Sequence, residues 1–188
     1  RKRSLFNEHL AIMKRAWAGK PIVLDSGETV TLAPLPVQQP HPELWIAAFG
    51  PLALKQAGQL GLPYLASPGE TVEKLKANYS VFKTACVESG QTIPTITPVM
   101  RTLFVSESPT VVDRVRTGLA ASPSREPAAV EDWAIMGSKR QVADQIMQLR
   151  AALSGTHLVA RGRLPAVNTP DLMRSLESLA DIRDTLLD

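Results

Sequence analysis

The sequence is poor in the residues that make disulfides and metal sites. Its 188 residues contain one cysteine, Cys86, and three histidines, His9, His41 and His157. A lone thiol cannot close an intrachain disulfide, so a reducing, cytoplasmic setting is expected. The histidines are scattered and none has a companion at ligand spacing, so no metal site is expected. Cys86 lies in a helical pattern without a local histidine to activate it, and reads as a buried, inert thiol. The sequence contains no G-x-G-x-x-G, no G-x-x-x-x-G-K and no G-x-S-x-G. The dinucleotide fingerprint, the P-loop and the hydrolase elbow are therefore missing. No apolar run approaches the ~18 residues of a membrane span.

Charge of one sign is also scarce. The formal net charge is +3, and Arg1, Lys2 and Arg3 supply all of that excess. Aromatic residues are 5% of the chain. No basic stripe is interleaved with aromatics, so no nucleic-acid partner is expected. Hydrophobic residues are 44% and charged residues 21%, the balance of an ordinary globular protein. The length suits one domain, 1–188, with a sizeable core.

Residues 1–43 read as a helix, a hairpin and a linker. RKRSLFNEHLAIMKRAW places Leu5, Phe6, Leu10, Met13 and Trp17 close to one helical face. PIVLDSGETVTLAP puts two β-rich arms around the turn cluster Asp25-Ser26-Gly27-Glu28. PLPVQQPHPELW, with four prolines, predicts a stiff connection. A chain that opens inside a helix, without an initiator Met, is expected to be a piece of something longer.

Residues 44–188 alternate between strand and helix patterns. LWIAAF, YLAS, TITPVMRTLFVS and THLVAR read as strands, each followed by a helical pattern. This predicts an α/β fold with a parallel sheet. Gly50-Pro51, Ser67-Pro68, Ser108-Pro109 and Thr169-Pro170 each set a capping residue before proline, the preferred first helical residue. Ser67 with Glu70, and Ser138 with Gln141, fit capping boxes. Ala121–Met136 mixes proline and charge without periodicity and reads as a loop, either a flap or a plain solvated connection. Four strands alone would leave two open edges and one poorly covered face.

Several of these segments occur in an order that resembles the C-terminal half of the luciferase-like flavin-dependent monooxygenases. They are QQPHPELWIAA, GPLALKQAGQLGLPYLAS, AIMGSKRQVADQI, THLVARGRLPAV and LMRSLESLA, preceded by RSLFNEHLAIMKRAW. The resemblance implies parallel βα units forming the C-terminal half of a TIM (β/α)8 barrel. It implies FMN or, in some branches, a deazaflavin as cofactor, and a small organic substrate oxidised with O2. It also implies a homodimer, or a separate N-terminal half-barrel, with this chain alone inactive.

On the same resemblance the turn Phe49-Gly50-Pro51, with the amides of Leu52 and Ala53, sits where the family binds the flavin phosphate. Ser67 is expected near the flavin ring. The pattern departs from the family in offering Gly50 where a hydroxyl-bearing residue is common, and in Pro51, which has no N–H. Two readings of Gly50-Pro51 therefore stand: a phosphate contact, or a turn that only starts a helix. Ser67 has its own structural reading as a helix cap. Arg101 lies on the apolar face of its strand and reads best as half of an ion pair. Arg161 ends the last strand, where a cofactor or substrate group could sit. No catalytic acid or base is assigned. The alternative to an enzyme part is a non-catalytic half-barrel serving as an assembly module.

Overall fold

The computed structural model describes residues 2–121, 128–161 and 164–187. It divides into two compact units, Arg1–Leu44 and Trp45–Asp188. Arg1 and part of the expected 121–136 loop, residues 122–127, lie outside the described residues.

In the first unit, helix α1 spans Lys2–Trp17. Leu10 is its buried residue, whereas Leu5, Phe6 and Met13 are exposed. The expected hairpin is present: β1 (Ile22–Val23) pairs antiparallel with β2 (Thr29–Val30). Its turn is held by the Leu24 amide donating to Glu28 O at 2.8 Å and the Gly27 amide to Leu24 O at 2.9 Å. Gly27 takes φ 86°, a left-handed value that glycine adopts without strain.

The second unit is a parallel βα array. Its elements are β3 (Ile46–Ala47), α2 (Pro51–Gln59), β4 (Tyr64–Leu65), α3 (Val72–Glu88), β5 (Pro98–Val105), α4 (Pro109–Ala120), β6 (Ala134–Gly137), α5 (Lys139–Leu153), β7 (His157–Arg161) and α6 (Thr169–Leu187). β3 pairs with β4, β5 with β6 and β5 with β7, all parallel, and a parallel bridge joins Ala66 to Val99. β5 is thus the strand through which the others connect. Where β7 has ended, Ser175 of α6 takes the place of a strand partner, its Oγ accepting from the Val105 amide at 2.9 Å.

Alternation along β5 separates two cores. Val99, Leu103 and Val105 pack with Leu54 of α2, Leu75 and Phe82 of α3, Val142 of α5 and Ile182 of α6. Phe104 points to the other face and packs with Val112 and Val115 of α4, Val130, Met136 and Leu164. Cys86 is fully buried, and burial pushes its thiol pKa up, as suits an inert side chain.

Three expectations are corrected. Ala134–Met136 of the expected loop belong, with Gly137, to strand β6, fully buried and paired in register with Thr102–Val105, and a short 3-10 turn Val130–Asp132 precedes it. Its backbone groups are satisfied by β5, which no local pattern could announce. α3 starts later than Ser67: Thr71 is its cap, its Oγ1 accepting from the Lys74 amide at 3.2 Å. Pro68-Gly69 turns the chain first, and Ser67 Oγ accepts from Gly69 N instead. α6 is capped by Asn168, whose Oδ1 accepts from the Asp171 amide at 2.8 Å, so Thr169 is already helical. The Ser138–Gln141 capping box forms as expected.

α2 packs tightly against α3 at Gly58. A Cβ there would lie 2.7 Å from Ala85 Cβ, 2.7 Å from the Phe82 carbonyl and 2.9 Å from the Cys86 amide. Backbone of a packed helix cannot give way cheaply. Overpacking costs about 1–3 kcal/mol, against up to about 1 kcal/mol of helix propensity gained. Gly58→Ala is therefore expected to lower the denaturant midpoint; a midpoint at or above the parent value would contradict this packing.

Candidate functional site

Strand register sets two of the candidate residues, Phe49 and Ser67, side by side on one face of the sheet. Ala47 pairs with Leu65, Ala66 bridges to Val99 and Met100 pairs with Val159. Carried two residues beyond β3 and β4, this register sets Phe49, Ser67, Met100 and Val159 in a row across that face. One layer nearer the C-terminal strand ends, Thr102 pairs with both Ala134 and Arg161. The arrangement is the layered one expected on the inner face of a βα barrel, and Phe49 and Ser67 lie just past the C-terminal ends of β3 and β4, where such folds place their sites.

Gly50 follows Phe49 and caps α2 with φ 81° and ψ 165°, a conformation open almost only to glycine. Its chain neighbours aside, no heavy atom of the described residues lies within 4 Å of where its Cβ would be, so the turn faces open space. Leu54 donates to Gly50 O at 3.2 Å, closing the first helical hydrogen bond. The amides of Leu52 and Ala53 precede it and have no intrahelical acceptor. They add donors and the positive end of the helix dipole. Phe49 and Leu52 are 59% and 61% exposed, so apolar side chains flank the polar turn on both sides. Pro51 fixes φ at the first helical residue. Ala53 is half-buried and leans on the core.

The opposite face of the sheet carries a polar cluster behind the same loop. Glu70 accepts from Asn78 Nδ2 at 2.9 Å and from the Tyr64 hydroxyl at 3.3 Å. Asn78 also donates to Tyr64 Oη at 3.3 Å. The Tyr79 hydroxyl donates to Pro98 O at 3.1 Å, and its ring meets that of Tyr64 edge-on at 5.1 Å. Arg101, 1% exposed, donates from Nη1 to the carbonyl of Glu70. The expected ion pair is thus corrected in one respect: the hydrogen bond goes to a backbone oxygen, while the Glu70 carboxylate nearby favours the charge electrostatically. Burial raises the pKa of both tyrosines and lowers that of Arg101.

Sequence reasoning did not find Glu70, Asn78, Tyr64 or Tyr79 as a cluster. One signal was present: Leu75, Asn78, Tyr79, Phe82 and Cys86 share the buried face of α3, and Asn78 is the amide on it. His157 stacks edge-on with Trp45 at 5.6 Å and is exposed, as is Arg161. His41 Nδ1 lies 2.8 Å from Pro42 O. Among the described residues no group of three His, Cys, Asp or Glu side chains could hold a metal ion, and no helix is long and apolar enough to cross a membrane.

The sequence pattern of the luciferase-like monooxygenases matches residues 1–121, and the chain belongs to that family. No curated protein sequence matches it. Among solved structures, a monooxygenase from Streptomyces bottropensis is similar over 99% of this chain and 62% of its own, with a TM-score of 0.72 at 18% identity. The oxygenating constituent of 3,6-diketocamphane monooxygenase from Pseudomonas putida, a type II Baeyer–Villiger enzyme in complex with FMN, is similar over 92% and 60%, with a TM-score of 0.65 at 19% identity. The coenzyme F420-dependent tetrahydromethanopterin reductase from Methanopyrus kandleri is similar over 94% and 61%, with a TM-score of 0.69 at 14% identity. At these identities the likeness establishes the fold, parallel βα units of a TIM barrel. The chain spans about three-fifths of the length of these structures.

The cluster behind the loop has a measurable cost of disruption. Asn78→Ala removes the donor to the Glu70 carboxylate and to Tyr64 at once. A buried acceptor left without its donor costs about 1–3 kcal/mol. Urea unfolding is expected to show a loss of that size, and an unchanged midpoint would contradict the network.

Proposed function

We propose that this chain is part of a flavin-dependent oxidoreductase that oxidises a small organic substrate with reduced flavin and O2. Family membership supports the class. The observation that carries the site is the turn at Gly50, where a strand end, unpaired helix amides and the Phe49–Ser67 row converge.

The residues present fit a flavin phosphate. Open space at Gly50 admits an oxyanion close to the backbone, and the amides of Gly50, Leu52 and Ala53 supply donors. Pro51 gives up one donor and pre-sets the helix. Phe49 and Leu52 offer apolar surface to a flat ring, and Ser67 offers a hydroxyl beside it. The flavin supplies the redox chemistry when bound. This chain's residues bind and orient it and exclude water. No residue is assigned as a catalytic acid or base. FMN is the first reading and a deazaflavin the second, which the likeness to the F420-dependent reductase favours.

Among the described residues β3 has only β4 as a strand neighbour and β7 only β5, so each presents a second edge. Further βα units, either an N-terminal half-barrel or a second copy of the chain, would pair there and cover the inner face. The lone buried thiol suits a reducing cytoplasm.

The test is an FMN titration of the chain, and of a longer form with any upstream coding region, followed by flavin fluorescence. Binding is expected to strengthen in the longer form and to weaken at least about tenfold in Gly50→Val, equivalent to one lost charge-assisted hydrogen bond. Affinity indifferent to Gly50→Val would remove the phosphate from this turn. Failure of both forms to bind any flavin would favour a non-catalytic assembly module.

A further inference from the structure

Arg101 is a charge in the core without an evident structural excuse. It is the largest fully buried side chain in the protein among the described residues. Its position in β5 alternates with Val99 and Leu103, so a leucine or methionine would suit the packing. Burying a guanidinium is costly unless its donors are used. Two of its features locate the use. Nη1 donates to the Glu70 carbonyl, across 31 residues of sequence. Nη2 is buried and has no partner among the described residues.

Glu70 ends the short loop 66–70, which leaves β4, carries Ser67 and Gly69, and reaches the cap of α3 at Thr71. Ser67 is on the inner face, in the row with Phe49, and Arg101 is on the opposite face. The Glu70 carboxylate is held by Asn78 and Tyr64, so the loop's end is gripped by its side chain from α3 and by its carbonyl from β5. Local hydrogen bonding within the loop is thin: Ser67 Oγ takes the Gly69 amide at 3.5 Å, the limit of a useful bond.

We propose that Arg101 is a positioning residue for the 66–70 loop, holding Ser67 at the inner face from behind the sheet. A guanidinium suits the task because its planar fork is rigid once buried and stays charged. Nη2 remains as a second, buried donor. That this loop then meets a flavin rests on the reading given under Proposed function; that Arg101 fixes the loop does not.

The experiment compares Arg101→Lys, Arg101→Met and Tyr79→Phe with the parent chain. Amide hydrogen exchange reports the loop directly, and FMN titration reports the site. Arg101→Met is expected to speed exchange at residues 67–71 at least about tenfold, the loss of one charged hydrogen bond, while the middle of α3 is unchanged. Arg101→Lys keeps one donor to the carbonyl and is expected to restore part of the protection. Tyr79→Phe removes a hydroxyl that donates to Pro98 O and Tyr64 O, beside Arg101 but with no hydrogen bond to residues 66–70, and is expected to leave 67–71 as in the parent. FMN affinity is expected to follow loop protection across the set. Exchange at 67–71 unchanged in Arg101→Met, or equally raised in Tyr79→Phe, would overturn the proposal. Should Arg101→Met unfold, Arg101→Lys against Tyr79→Phe decides by the same criterion. A parent chain that binds no FMN would remove the flavin reading and leave the exchange result to judge Arg101.

Discussion

The parallel register on β5 is the constraint from which the rest follows. β6 and β7 pair with it directly and β4 meets it at the Ala66–Val99 bridge. Side chains alternate with a period of two, so a slip of one residue would exchange the two faces. Val99, Leu103 and Val105 would then leave the core shared with α2, α3, α5 and α6. Arg101 would move to the inner face as well. Two cores of different composition, one on each side of β5, make such a slip expensive and fix the register strongly.

From that register comes a division of labour between the faces. The inner face gathers Phe49, Ser67, Met100 and Val159, with Phe49 and Ser67 just past the ends of β3 and β4, next to a helix start whose first amides have no intrahelical acceptor. The outer face gathers Tyr64, Glu70, Asn78, Tyr79 and Arg101 in a buried network. The loop 66–70 belongs to both. A ligand on the inner face would therefore meet a loop held from the outside, which is how a site on a loop becomes rigid enough to bind with precision.

Much of this was legible in the sequence, for physical reasons that can be named. The helix starts at Pro51, Pro109 and Ser138 were readable because capping and proline chemistry act within four residues. The hairpin at Asp25–Glu28 was readable from its turn residues. The strand THLVAR matches β7, and the luciferase-like resemblance agrees with the family match. What escaped depends on distant partners. AIMG is four buried residues without alternation, a strand only because β5 pairs with it. Ser67 and Thr71 are both good caps, and the Pro68-Gly69 turn decides between them. Arg101 was visibly out of place in its strand, yet its partner is a carbonyl, and a carbonyl has no sequence signature.

The central claim is that the turn at Gly50 receives a flavin phosphate. Backbone amide shifts of the 15N-labelled protein, titrated in parallel with FMN and with riboflavin, test it most directly. The two ligands share the ring and differ in the phosphate. The account predicts that FMN moves the amide signals of Gly50, Leu52 and Ala53 and that riboflavin leaves them nearly still. Equal shifts with both ligands, or FMN shifts confined to residues away from this turn, would contradict it.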